Sequence, residues 1–327
     1  MSEKDLEVME PGTKKEEFVE TTRVQGASKL LLITLVSYFF CSFVLEEMAN
    51  FFGNRVPFLR STLCGLLVSQ SALLLPSVCY MWKKKYNPVK FLNIRFLHPV
   101  TVILLVLFAY ASYPIISLCN YLSLQVSKNV VGNTLGNLFT EYPIWLCVIV
   151  IAGIPCVVEE VIFRGVLYRS YREVELFKAG ITTAVLFGFF HMNINQMSYA
   201  VVIGILLVIL NEITGSILSS VIVHFIINGT SVLLSSKTYS VTGNLPVDTT
   251  NSVIPSEVMI LILGFMSLVS FVILGVLLYG MVCVEKRQDI VREILEKREE
   301  KRGQIFSPVL ACTLLICAGM MIWNQIG

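Results

Sequence analysis

Nine apolar runs constrain this 327-residue chain more than any other feature: roughly 30–52, 61–82, 99–121, 143–165, 179–195, 197–213, 215–235, 257–284 and 305–326. Most approach the length at which a helix rising 1.5 Å per residue crosses about 30 Å of hydrocarbon. In lipid every backbone N–H and C=O must be satisfied internally, which leaves helices or a closed barrel. A barrel would read as short alternating segments, and these runs do not alternate. The expected fold is an all-α polytopic membrane protein of about eight or nine transmembrane helices. Charged residues make up 15% of the chain, where a soluble domain carries about a quarter.

Position of charge matters more than the net value of +2. Lys83, Lys84, Lys85, Lys90 and Arg95 lie between the second and third runs, and Arg169, Arg172 and Lys178 follow the fourth. A third basic stretch, from Lys286 to Arg302, precedes the last run. If every run crosses once, all three fall on one side, and the opposite loops, 122–142 and 236–256, hold only Lys128 and Lys237. The positive-inside rule then predicts a multi-pass plasma-membrane protein with a cytosolic N-terminus. Residues 1–29, polar and without a signal-peptide pattern, read as a disordered cytosolic tail. The remaining divisions are N-terminal transmembrane helices over 30–140, a core over 141–235, an external loop over 236–256, and C-terminal helices over 257–327. Within the last, 285–303 reads as a cytosolic amphipathic segment, with Ile290, Val291, Ile294 and Leu295 on one face and Glu293–Lys297 as an i,i+4 pair. The nine cysteines sit almost entirely in apolar runs without CxxC spacing, as packing residues do. No nucleic-acid signature is present.

Against this background, several ionisable side chains stand where they are expensive. A charged group at bilayer depth costs roughly 2.5–3.5 kcal/mol on insertion scales. Glu159, Glu160 and Arg164 end the fourth run, His191 lies in the fifth, and His224 and Asn228 lie in the seventh. Glu160 and Arg164 are i,i+4 and can pair, while Glu159 lies about 100° round the helix from Glu160. Pro155, one turn earlier, removes a backbone hydrogen bond. Ala184, Gly188, His191 and Asn195 form one small-to-polar stripe, and Ser216, Ser220, His224 and Asn228 form another, as at helix interfaces or wet cavities. Counted from the expected cytosolic ends, Glu159, His224 and His191 lie about 9, 14 and 18 Å deep. Taken singly, a Glu–Arg pair is often a clamp and a histidine often a packing residue. Three such groups at matching depth on three helices predict one polar cavity, open to the cytosol.

A carboxylate there could take a proton from water attacking a peptide carbonyl. Imidazole or asparagine N–H groups could hold the oxyanion. Glu159, His191 and His224 could alternatively ligate zinc with an open position for water, although no HExxH pair is present.

Taken in order, Glu159-Glu160-Val161-Ile162-Phe163-Arg164 (EExxxR), Phe187 to His191 (FxxxH) and His224 to Asn228 (HxxxN) resemble the CPBP family. This is the CAAX prenyl endopeptidase and bacteriocin-processing and immunity family of intramembrane proteases, also called Abi. Thr214-Gly215-Ser216 before the last motif is similar to it as well. The resemblance covers about residues 140–235. It implies Glu159 as catalytic base, His191 and His224 as partners, Asn228 in oxyanion stabilisation, and Glu160 with Arg164 organising the site.

The function this suggests is an intramembrane endopeptidase, cutting a membrane-embedded or lipid-anchored peptide or protein near the cytosolic face with glutamate-activated or metal-bound water. The compact loops point to a bacterial chain. The competing readings are an ion-coupled transporter and a non-catalytic scaffold or immunity protein.

Overall fold

The computed structural model describes residues 14–127, 131–242, 254–296 and 305–326. They form helices α1 (Lys14–Phe52), α2 (Thr62–Lys83), α3 (Pro99–Leu124), α4 (Val131–Glu141), α5 (Ile144–Tyr171), α6 (Leu176–Phe190), α7 (Ile194–Thr214), α8 (Ile217–Thr242), α9 (Ser256–Val284), α10 (Gln288–Glu296) and α11 (Pro308–Ile326), and no strand appears among the described residues. Eight of these are long and apolar enough to cross a membrane. The chain is an all-α polytopic membrane protein.

The fifth expected crossing is shorter than the run predicted. Helix α6 has 15 residues, about 22 Å, and ends at Phe190 because the chain turns through His191, Met192 and Asn193. The Asn193 side chain then caps α7 by accepting from the Gln196 amide at 3.2 Å. The 184–195 stripe is therefore split between two helices. Ala184 and Gly188 pack against α7, while Asn195 turns to Asn120 (3.0 Å) and Ser123 (2.6 Å) on α3. The approach of α6 to α7 needs small residues: a Cβ on Gly204 would stand 2.9 Å from Ala184 Cα, and one on Gly188 would stand 2.9 Å from the Met197 carbonyl.

Other sequence boundaries shift as well. Helix α1 begins at Lys14, and Val24 and Ala27 are buried, so 14–29 belong to a helix instead of a tail; residues 1–13 lie outside the described ones. Helix α4 occupies part of the expected loop 122–142, and α8 continues to Thr242, through the first residues of the expected loop 236–256. Positions 243–253 fall outside the description. The amphipathic segment is helical over 288–296, where Arg292 and Glu296 form the i,i+4 pair at 2.7 Å; Lys297 lies outside.

The three basic loops do meet at one end of the bundle. Arg95 Nη2 reaches Glu285 (2.7 Å), Arg172 Nη2 reaches Glu212 (3.0 Å), Arg287 Nη2 donates to the Glu212 carbonyl (3.1 Å) and Arg169 Nη1 to that of Phe91 (2.7 Å). Gly215 ends α7 in the left-handed conformation (φ +66°), and a Cβ there would also strike the Arg287 guanidinium at 2.5 Å. At the bundle's flank, α9 leaves Leu261, Phe265 and Val272 exposed along its length, as a lipid-facing helix does.

Candidate active site

The site grows from an irregular stretch of α5. Two π-helical segments, Ile149–Gly153 and Val161–Tyr168, flank the α-helical turns Ile154–Glu160 that carry both carboxylates. Pro155 has no N–H to donate into the preceding turn, and the wide turn lies immediately before it.

The adjacent glutamates occupy different surroundings. Glu160 is fully buried, and its Oε1 accepts from Arg164 Nη1 (2.9 Å) and His224 Nδ1 (3.0 Å). Glu159 keeps 18% of its side chain exposed, its Oε2 has no hydrogen-bond partner, and His224 Nε2 stands 3.7 Å away. Arg164 ties three helices together: besides Glu160 on its own helix, it donates through Nη2 to the Gly204 carbonyl of α7 (3.2 Å) and lies 4.5 Å over the Phe187 ring of α6.

Hydrogen bonding fixes Nδ1 as a proton-bearing nitrogen in both imidazoles. A carboxylate only accepts, so His224 Nδ1 bears the proton shared with Glu160, and Nε2 accepts from Asn228 Nδ2 at 3.2 Å. The Asn228 amide also approaches Cys156 Sγ, at 3.7 Å. His191 Nδ1 lies 2.8 Å from the Phe187 carbonyl, which likewise only accepts, so Nδ1 is the donor there.

Glu159 and His191 line a cavity of about 160 Å³ together with Tyr38 of α1, Leu73 of α2, Ile162, Phe163, Phe190 and Met192. The Phe187 ring packs near-perpendicular to both histidines, with ring centroids 4.9 Å from His191 and 5.7 Å from His224. The expected residues thus divide into two contiguous groups. Glu160, Arg164, His224 and Asn228 form a buried network, and Glu159 with His191 faces the cavity beside it.

The same spacing bears on metal binding. Among the described residues no three His, Cys, Asp or Glu side chains are grouped so as to hold a metal ion. Of the candidate set Glu159, His191 and His224, His191 bonds to the Phe187 carbonyl and not to the buried network, and His224 already uses both nitrogens within the protein. This arrangement does not fit zinc ligation, and no chemical step is routed through a metal below.

Sequence reasoning missed several contributors. The Gly204 carbonyl that receives Arg164 and the cavity residues Tyr38 and Leu73 come from helices without any motif. Cys156 had a signal: it lies four residues before Glu160, on the same helical face.

Fold and site together define a polytopic membrane protein with a buried carboxylate–arginine–histidine centre inside its helix bundle. Residues 139–230 match the family model described as type II CAAX prenyl endopeptidase Rce1-like, which agrees with the resemblance of the three motifs to CPBP/CAAX proteases. The matched segment contains every residue of the three motifs. No curated protein and no solved structure matches the chain.

Proposed function

We propose that the chain is an intramembrane endopeptidase that hydrolyses a peptide bond of a membrane-embedded or lipid-anchored substrate with glutamate-activated water. The observation that carries this reading is the unequal state of the two glutamates. Glu160 is fully buried and committed to Arg164 and His224, whereas Glu159 lines the cavity, keeps part of its side chain exposed and has no arginine partner.

Glu159 takes a proton from a water as its oxygen bonds to the peptide carbonyl carbon. The His191 Nε2 lone pair accepts the water's second hydrogen and orients the attack. The carbonyl oxygen gains negative charge, and the Asn228 amide, at the end of the network beside Glu159, supplies a donor for it. Glu159 then delivers its proton to the amide nitrogen, the C–N bond breaks, and a carboxyl terminus and an amine leave. Glu160 and Arg164 touch no reacting atom here; they hold His224 and the α5–α6–α7 junction in place.

The test is cleavage of a lipid-anchored, internally quenched peptide by purified protein in nanodiscs, with Glu159→Gln as comparison. Turnover that disappears in the variant while the peptide still binds supports the proposal. Normal cleavage by Glu159→Gln removes Glu159 as base and favours the transporter or scaffold readings.

A further inference from the structure

A second concavity, of about 660 Å³, lies at the basic end of the bundle, away from the cavity that holds Glu159. Arg23 at the start of the apolar part of α1, Lys85 just beyond α2, Lys90 in the helical turn Pro88–Phe91, and Arg169 and Arg172 at the end of α5 all line it. The one carboxylate in the lining, Glu173, is already paired with Arg23.

The five cations are not equally engaged. Arg172 is paired with Glu212, and Arg169 donates to two carbonyl oxygens, of Lys90 and Phe91, which position the guanidinium without neutralising it. Lys85 and Lys90 have no ion pair among the described residues. Tyr86 and Phe91, stacked at 4.5 Å with their planes 9° apart, form a rigid aromatic wall of the same groove. The result is an electropositive pocket with three guanidiniums, two of them ion-paired, and two ammonium groups without an ion pair among the described residues.

Its level along the helix axes selects the ligand. Arg23, Lys85 and Arg169 lie at the ends of three membrane-length apolar spans, which is headgroup depth in a bilayer. Trp82, 81% exposed one turn before Tyr86, is placed as an interfacial aromatic. A soluble polyanion would gain nothing from this depth, whereas a phospholipid can leave its chains beside α1 and α2 and place its phosphate among the cations.

We infer that the groove is a binding site for the phosphate headgroup of an anionic membrane lipid. The site is independent of peptide-bond chemistry and is tested without it. The full-length protein in neutral detergent is titrated with short-chain phosphatidylglycerol, phosphatidylcholine or glycerol phosphate, and binding is followed by fluorescence. Phosphatidylglycerol should bind at least tenfold more tightly than phosphatidylcholine, and glycerol phosphate should not bind over the same range. The double variant Lys85→Gln/Lys90→Gln should bind phosphatidylglycerol roughly 30-fold more weakly, the factor for two basic residues at a membrane surface. Lys83→Gln/Lys84→Gln removes the same charge outside the groove and should change binding less than about threefold. Equal binding of the two lipids overturns the site, as does undiminished binding by Lys85→Gln/Lys90→Gln. Equal loss in the Lys83/Lys84 variant shows diffuse attraction instead of a site, and glycerol phosphate binding as tightly as the lipid shows a soluble-phosphate site; either result also overturns the proposal.

Discussion

His224 Nδ1 and Glu160 Oε1 stand 3.0 Å apart, and the same carboxylate oxygen receives Arg164. Residues 64 positions apart are thereby locked at the centre of the bundle, and the lock decides which of two adjacent glutamates is free for chemistry. Glu159→Gln should remove turnover and leave the fold intact, since it changes a cavity-facing group whose Oε2 has no partner. Glu160→Gln should lower stability as well as rate, because it removes the charge that Arg164 and His224 share. Rates on a quenched peptide and thermal midpoints of both variants check this. Equal stability losses would mean that the two carboxylates are not divided as described.

The histidines should respond differently from each other. His224→Ala strips a donor from Glu160 and an acceptor from Asn228, so both rate and thermal midpoint should fall. His191→Ala vacates only the cavity wall and a bond to its own helix, so rate should fall by about 10²-fold or more with little change in midpoint. A His191→Ala protein that unfolds as readily as His224→Ala would make His191 a structural residue.

Much of this site was legible in the sequence, for a physical reason: charge and imidazole inside apolar runs are costly enough that their positions stand out. The i,i+4 spacing of Glu160 and Arg164 was enough to pair them, and the pair forms at 2.9 Å. What could not be read were contacts made by backbone or by residues of ordinary type. The Gly204 carbonyl carries no sequence signal, and neither does the packing of Phe187 against both histidines. The break after Phe190 was missed because residues 179–195 remain apolar enough to read as one run, and only the Asn193 cap shows that a new helix begins. The start of α1 was missed for the opposite reason: residues 14–29 are polar on average, yet Val24 and Ala27 face the core.

Metal removal should leave activity unchanged. No three-ligand group exists among the described residues, and His224 already uses both ring nitrogens within the protein. Dialysis against a strong chelator, followed by assay with and without added zinc, measures this directly. Activity lost on chelation and restored by zinc would show that the working enzyme gathers ligands differently.

Packing between α6 and α7 should also be felt at the site. Gly204→Val places a Cβ 2.9 Å from Ala184 Cα and must push the helices apart, at about 1–3 kcal/mol. The Gly204 carbonyl would move with it and loosen Arg164, so the variant should lose thermal stability and activity together. Wild-type activity in a destabilised Gly204→Val protein would show that the site tolerates movement of α7.

Topology follows from the basic end of the bundle, where Arg95, Arg172 and Arg287 meet. The positive-inside rule predicts that this end is cytosolic. A single cysteine at Arg292, on α10, should resist a membrane-impermeant reagent added to intact cells, and one at Ser240, near the far end of α8, should react. The native cysteines exposed in the fold, Cys79 and Cys312, are replaced first. The opposite labelling pattern would invert the protein.

Arg164 offers the sharpest separation of charge from shape. It is almost fully buried, and removing it leaves Glu160 without its strongest partner in a medium that cannot hydrate it. Arg164→Ala should therefore destabilise by about 3–5 kcal/mol. Arg164→Lys restores the charge but lacks the planar fork that serves Glu160 and the Gly204 carbonyl at once, and it loses the flat face stacked on Phe187. Stability should recover in part while activity remains low, because His224 depends on where Glu160 is held. Midpoints and rates measured on the two variants in the same nanodisc preparation read the two effects separately. Full activity in Arg164→Lys would mean that charge alone suffices and that the three-helix clamp is not required for catalysis.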